Sequence, residues 1–244
     1  MTILHEYIRA LLIETLCPLP KAVFMAGGPG SGKSTVIHDL GLSQRLKVIN
    51  PDDAYEESLK AAGIPLDRSK IVERYKELKQ EYLKAVEDQD GTLAGELEPE
   101  YLSLKAVMSK NMKLFSAARA AAKKTQEQYT CDNENFLVDG TGGNLKQIIK
   151  QARELQALGY DVAMVFVDVP EETSLERNRQ RGKIGGRRLT DTTVSRSWNA
   201  VAKNLEPYRD FFGDNFFYIN ASKEMFDSSI SDALPGVSAF LTRD

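Results

Sequence analysis

The chain has little cysteine: only Cys17 and Cys131 among 244 residues. Two are too few for a disulfide framework or a cysteine metal cluster, so a reducing, cytoplasmic setting is expected. Long hydrophobic runs are also lacking. The longest wholly apolar stretch, near Val162–Val167, is far short of a bilayer span, and no membrane partner is expected. Met1–Pro20 has neither a basic n-region nor a small-residue cleavage site, and does not read as a signal peptide. Charge of one sign is not in excess: 32 basic and 35 acidic residues leave a net charge of −3. That balance carries no global signature of nucleic-acid binding and leaves room only for local patches. Repeats and low-complexity tracts are missing too. What is present, 42% apolar and 8% aromatic residues, excludes a chain disordered as a whole and supports a sizeable core.

Short apolar runs alternate with helical patterns. Ala22–Ala26, Lys47–Asn50, Phe136–Asp139, Val162–Val169 and Phe216–Asn220 read as strands, with Pro51 and Pro170 as stops. Apolar residues at helical spacing mark Met1–Cys17, Ser34–Leu42, Asn144–Leu158, Glu171–Arg181 and Thr192–Phe212. The expected fold is α/β: a three-layer sandwich with a five-stranded parallel sheet covered on both faces. The stretch between the second and third strands is too long for a simple connection. Ser69–Asp88 predicts one helix, Asp90–Pro99 a turn, and Leu104–Ala122 a second long helix. They form a hairpin inserted at residues 54–135, whose apolar stripes are expected to pack on each other and on the core. Its second helix carries Lys105, Lys110, Lys113, Arg119, Lys123 and Lys124 and no acid between Tyr101 and Gln126. Either a solvated face or an anion-facing surface fits that pattern. The whole, residues 1–244, is expected to be one domain.

The strongest motif is Gly27-Gly28-Pro29-Gly30-Ser31-Gly32-Lys33-Ser34-Thr35, which satisfies G-x-x-x-x-G-K-[ST]. Its four fixed positions recur by chance in roughly one chain in a hundred. Here it also lies between a predicted strand and a predicted helix, as its mechanism requires. Gly28, Gly30 and Gly32 let the backbone turn its N–H groups into one concavity with no Cβ in the way. Lys33 can follow the β- and γ-phosphates, Ser34 can ligate Mg²⁺, and Ser31 and Thr35 complete the cradle at a helix N-terminus. The α/β sandwich is therefore expected to be a P-loop NTPase fold, with ATP or GTP and Mg²⁺ as the expected ligand.

In an open α/β sheet, ligands gather beyond the carboxyl ends of the strands. Asp52, Asp139 and Asp168 stand at three such ends. Each has an alternative reading as a helix cap, strongest for Asp168 before Val169-Pro170. Phosphoryl transfer needs one carboxylate for the acceptor hydroxyl and another near Mg²⁺; Asp52 and Asp139 are the candidates. Positive charge for the transferring group can come from Arg177, Arg179, Arg181, Lys183, Arg187 and Arg188 around Gly182–Gly186. Arg177 and Arg181 are one helical turn apart, and the glycines can hinge a mobile lid over residues 177–190.

Taken in order, GGPGSGKST, NPDD, VDGTGGN, VFVDVPEE and ERNRQRGKIGGRRLTD resemble the zeta-toxin-like and polynucleotide-kinase-like P-loop kinases. The likeness covers the core and leaves out the inserted helices and both termini. It implies ATP as phosphate donor and Asp52 as general base for the acceptor hydroxyl. It further implies Asp139 at the substrate or metal site, where zeta toxins more often carry glutamate, and Arg177, Arg181 and Arg187 or Arg188 on the ATP phosphates. It also implies a hydroxyl-bearing acceptor containing a nucleotide, such as a UDP-activated amino sugar, and an antitoxin-like partner. The long insert departs from the family's spacing at the place where the acceptor enters. A different or larger acceptor is therefore a second expectation: a nucleic acid 5′-hydroxyl end or a hydroxymethylated base in DNA. A GTPase is disfavoured, since Asp139-Gly140-Thr141-Gly142 satisfies only the weak D-x-x-G pattern and no N-K-x-D motif exists. A non-catalytic protein whose nucleotide site orders the hairpin for a partner is the remaining alternative.

Overall fold

A computed structural model describes residues 19–243; the helix expected over Met1–Cys17, and Cys17 itself, lie outside them. Five strands form one parallel sheet: β1 (Lys21–Ala26), β2 (Lys47–Ile49), β3 (Phe136–Val138), β4 (Asp161–Asp168) and β5 (Phe216–Asn220), in the order β2-β3-β1-β4-β5. β1 is central and buried along its whole length. It pairs with β3 from Ala22 opposite Phe136 and with β4 from Lys21 opposite Asp161. The strand period of two splits its side chains between two cores. Val23 and Met25 join Val36, Val165, Val167 and Val237 on one face; Ala22 and Phe24 join Leu155, Met164, Phe166 and Tyr208 on the other. That division makes the three layers. Lys21, almost fully buried, is neutralised by Asp161 at 3.2 Å and by the Arg243 carbonyl at 2.8 Å.

The helices are α1 (Lys33–Asp39), α2 (Leu42–Arg45), α3 (Pro51–Ala61), α4 (Ser69–Glu87), α5 (Gly91–Cys131), α6 (Leu145–Ala157), α7 (Glu171–Lys183), α8 (Asp191–Ala202), α9 (Leu205–Phe212) and α10 (Phe226–Thr242). Three departures from expectation matter. Pro51 does more than stop β2: it occupies the first turn of α3, where its missing N–H costs nothing, and Asn50 caps that helix by accepting from Asp52 N at 2.9 Å. The single helix expected over Thr192–Phe212 is two, α8 and α9, broken at Asn204. The amide of Asn204 turns away to donate to the carbonyls of Gly142 and Gly143 at 2.9 and 3.1 Å. The turn expected over Asp90–Pro99 is only Asp88–Asp90, closed by Asp90 N on Ala85 O at 2.9 Å with Gln89 at φ 58°. Pro99 lies inside the 41-residue α5. Its ring removes one helical bond, but the flanking residues hold the helix against α4: Tyr101 stacks on Tyr82 at 4.7 Å and Glu100 takes a two-pronged bond from Arg74 at 2.7 Å.

The hairpin is anchored at its base rather than along its length. Tyr55 and Leu59 of α3 pack with Ile64 and Ala118 in a third, small core. α3 therefore packs against α5, and carries its first-turn acids Asp52 and Asp53 just past the carboxyl end of β2.

Candidate active site

The loop after β1 is built around glycine. Gly30 adopts φ +80°, and a Cβ there would stand 2.6 Å from the Ser174 carbonyl oxygen of α7. Gly32 caps α1 in the left-handed region without a side-chain cap, so the first amides of α1 keep no side-chain acceptor. Lys33 curls back to donate to the carbonyls of Gly27 at 2.8 Å and Gly28 at 3.3 Å. Burial lowers its pKa from the ordinary lysine value, while the carboxylates of Asp139 and Asp52 act in the opposite direction. Ser31 Oγ is buried without a partner, whereas Ser34 and Thr35 are exposed on the first turn of α1.

The loop after β3 lies against this cradle. Gly27 N donates to the Thr141 carbonyl at 2.9 Å, and Tyr208 Oη donates to the Gly142 carbonyl at 2.8 Å. Asp139, just past β3, is held by its amide on the Ile49 carbonyl at 2.9 Å. Burial raises its pKa above the usual carboxylate range, against the opposing pull of Lys33, and its Oδ1 is buried with no hydrogen-bond partner. Asp168 is not part of this group: it accepts from Tyr218 Oη at 2.9 Å and ties β4 to β5.

The arginine-rich segment does not act as one cluster. Arg177 lies against the phosphate loop, donating to the carbonyls of Gly30 at 3.4 Å, Ser31 at 3.2 Å and Ala221 at 2.9 Å. Arg181, one turn later, pairs instead with Glu56 of α3. Arg187 makes a two-pronged pair with Asp52, at 3.1 and 2.8 Å, and lies 3.6 Å from Glu56. Arg188 is 3.8 Å from Asp67, with a parallel backbone bridge between the two residues. Arg179 pairs with Asp191. In the state seen here, the segment expected to hinge as a mobile lid is held by side-chain contacts. Asn178 bonds both the N–H and the C=O of Leu189, at 3.0 and 2.9 Å, while Arg187 ties the segment to α3. At the turn, Ile184 is 86% exposed and Gly185, at φ +82°, has open space around it, while Gly186 packs against Arg181.

Of the residues picked from sequence, Gly28, Gly30, Ser31, Gly32, Lys33, Ser34 and Thr35 form the loop and the first turn of α1, and Arg177 of α7 lies against the loop. Asp52 and Asp139 share the field around Lys33. Arg181 and Arg187 share that field too; they pair with Glu56 and Asp52 of α3, and Arg188 lies against Asp67 in the loop before α4. Several neighbours escaped the sequence reading. Glu56 carried a signal, one helical turn after Asp52. Ser174, which donates to the Pro29 carbonyl, and Trp198, whose Nε1 donates to Val169 O at 2.8 Å beside Gly28, carried none. A cleft of about 860 Å³ opens beside the loop, lined by Gly32, Thr35, Arg177, Ala221, Glu224 and Phe226 among others.

Among the basic residues of α5, several engage their own surroundings. Lys105 and Arg119 lie over the rings of Tyr101 and Phe115, Lys123 is 3.5 Å from Glu127, and Lys110 reaches the Ala62 carbonyl. Among the described residues, no helix is long and apolar enough to cross a membrane.

Residues 23–207 match the family described as AAA domain. No curated protein matches by sequence. Among solved structures, a proposed kinase from Chloroflexus aurantiacus J-10-fl aligns with 91% of this chain and 98% of its own, at 12% identity and a TM-score of 0.56. A gluconokinase from Sinorhizobium meliloti 1021 aligns with 92% of this chain and 93% of its own, at 13% identity and 0.45. A structure of the PezAT toxin–antitoxin system of Streptococcus pneumoniae aligns with 98% and 95%, at 14% identity and 0.48.

Proposed function

The chain belongs to the AAA domain family, with a P-loop kinase-like fold, and from that premise we propose that it transfers the γ-phosphate of ATP to a hydroxyl of a nucleotide-containing acceptor. The observation that carries the reading is the meeting of Lys33, Asp52 and Asp139 beside the glycine cradle. A nucleotide-binding switch needs the cradle and a carboxylate at the metal; phosphoryl transfer to an alcohol needs a further carboxylate on the acceptor side, the part given to Asp52.

The residues fit the donor nucleotide and its ion. The cradle exists because glycine keeps its walls close, and its buried Ser31 Oγ lacks a partner. Ser34 Oγ and the unpartnered Asp139 Oδ1 are the groups that would hold Mg²⁺. A magnesium ion takes most of its ligands from phosphate oxygens and water, so two protein oxygens suffice. When bound, the ion would neutralise charge on the β- and γ-phosphates. Lys33 supplies positive charge at the same oxygens. The cleft beside Thr35, Arg177 and Phe226 is the place for the nucleoside.

Asp52 is the general base of the proposal: its backbone is fixed by the Asn50 cap while its carboxylate stays 47% exposed. In this structure the carboxylate is engaged by Arg187. Phosphates entering the cradle compete for that guanidinium, and its departure leaves Asp52 free to accept the proton of the acceptor hydroxyl. Arg187 and Arg181 are thereby placed to follow the transferring charge.

The test is transfer of radiolabelled γ-phosphate across UDP-sugars, nucleosides, DNA and RNA 5′-hydroxyl ends and DNA with hydroxymethylpyrimidines. Label in a UDP-sugar or nucleoside supports the small-acceptor form. Label in nucleic acid supports the second reading, for which the exposed basic face of α5 speaks. Asp52→Asn should bind ATP within a few-fold of wild type and lose transfer by about 10²–10⁴-fold; wild-type transfer in that variant removes Asp52 from the role.

A further inference from the structure

Beyond Asp52, α3 faces a cation that the transfer reaction as proposed does not use. Arg68, in the loop between α3 and α4, is only 8% exposed. A buried guanidinium is normally paired with a carboxylate. Arg68 has no carboxylate within ion-pair distance among the described residues. Its Nη1 alone is engaged, donating to Tyr55 Oη at 2.6 Å and to Asn111 Oδ1. Its Nε is buried without a partner. These contacts do not account for a cation. Tyr55 Oη itself donates to Asn111 Oδ1, so the hydroxyl and the amide satisfy each other without it.

The position of Arg68 ties it to the candidate site. The bridge between Asp67 and Arg188 sets the two segments side by side. Arg68 and Arg187 are the residues flanking that bridge in the two segments. Both guanidiniums then meet the same ring: Arg68 lies 5.3 Å and Arg187 5.6 Å from the centroid of Tyr55. Arg187 has its carboxylates, Asp52 and Glu56. Arg68 has a donor fork and no anion. Tyr55 and Asp52 share one face of α3, three residues apart, about 5 Å along the helix.

We propose that Arg68, oriented by Tyr55 and Asn111, is an anion-recognition residue of the acceptor site, and that it reads an oxyanion, phosphate or carboxylate, carried by the acceptor about one helical turn from the hydroxyl that Asp52 serves. The assignment to the acceptor rests on the kinase reading; the anion site itself does not. It deepens that reading by making the acceptor's own charge a requirement and giving the inserted segment, through Asn111, a part in substrate choice.

The experiment separates the two. Thermal unfolding of the full chain, saturated with Mg²⁺ and a non-hydrolysable ATP analogue, is followed while inorganic phosphate or, separately, acetate replaces chloride at constant ionic strength. A saturable rise in Tm of a few degrees with phosphate, acetate or both is expected in wild type and lost in Arg68→Gln. The two anions distinguish a phosphate reader from a carboxylate reader. Arg68→Lys keeps the charge but loses the fork, and should weaken the apparent affinity about tenfold; it decides the matter if circular dichroism shows Arg68→Gln unfolded. Lys33→Met without nucleotide should keep the shift. The inference is overturned if wild type responds to neither anion, if Arg68→Gln responds as wild type does, if folded Arg68→Lys keeps wild-type affinity where Arg68→Gln cannot be read, or if the response follows Lys33. Uridine against its 5′-monophosphate, and N-acetylglucosamine against its 1-phosphate, then serve as paired acceptors. Arg68→Gln should raise KM for the anionic member of a pair at least tenfold and leave the neutral member unchanged. A chain that keeps the Arg68-dependent shift and phosphorylates no acceptor refutes the kinase reading alone.

Discussion

The two sides of the cleft are made in opposite ways. The donor side is a short continuous stretch, Gly27–Thr35, whose working groups are mostly backbone amides and one lysine. The side proposed for the acceptor is assembled from side chains far apart in the chain: Asp52, Tyr55 and Glu56 on α3, Arg68 before α4, Asn111 on α5, Arg187 and Arg188 after α7. A cradle of main-chain donors is rigid as soon as its loop is folded. A wall of paired charges holds its shape only while each partner is present, and exchanges partners when an anion arrives. On the proposed reading, phosphate binding belongs to the first of these halves and substrate choice to the second.

Damage to the cradle should be the sharpest test of that contrast. Gly30→Ala puts a Cβ 2.6 Å from a helical carbonyl at a φ of +80°. Neither the backbone of α7 nor the strained dihedral can yield cheaply, and overpacking of this kind costs about 1–3 kcal/mol. We expect ATP affinity to fall by roughly 10–100-fold, measured by calorimetric titration, with the anion response at Arg68 unaffected. Equal loss on both sides would show that the cleft folds as one unit and that the contrast is false.

The same contrast explains what was legible in the sequence. The sheet could be read because β1 and β4 are continuous apolar runs. The cradle could be read because its glycines, lysine and serine are neighbours. The hairpin was visible in the spacing of Tyr75, Leu78 and Tyr82, but its turn was misplaced. Pro99 signals a break only where nothing else holds the helix, and Arg74 and Tyr82 hold it here. The break between α8 and α9 was invisible, since Asn204 is an ordinary helical residue until the Gly142 and Gly143 carbonyls are brought to it. On the acceptor side, Arg177–Arg188 looked like one phosphate clamp because composition does not say which carboxylates wait across the cleft. Arg68 and Asn111 carry no motif at all. Their meeting on Tyr55 depends on three segments folding together, which no local pattern records.

A smaller effect probes whether the acceptor wall is held by its charge pairs. Arg187 is 11% and Asp52 47% exposed at their side chains, so water screens the pair only from one side. A double-mutant cycle with Arg187→Gln and Asp52→Asn, read by chemical denaturation, should give a coupling of about 1 kcal/mol, at the upper end for exposed pairs because the contact is two-pronged. Saturating ATP should reduce that coupling toward zero if the guanidinium leaves Asp52 for phosphate. A coupling that ATP does not change would mean that the wall is static and that Asp52 stays blocked.

The smallest effect concerns the residue on which the two sides meet. Asp139 has a raised pKa, chiefly through burial, with Lys33 opposing the shift. A carboxyl whose folded pKa lies above its unfolded value binds its proton more tightly when folded. Ionising it therefore favours the unfolded chain: its contribution to stability is present below the ordinary carboxylate range near pH 4 and is lost as pH rises through the folded pKa. Asp139→Asn cannot ionise. The stability of Asp139→Asn relative to wild type should accordingly rise with pH from about 4 upward and then level off. Denaturation curves at matched ionic strength measure this difference. Mg²⁺ with an ATP analogue should flatten it, because a cation bound at Asp139 favours the carboxylate. A flat difference without ligand would place Asp139 in water; a pH-dependent one that Mg²⁺ and nucleotide leave untouched would separate Asp139 from the metal and give it to the acceptor side.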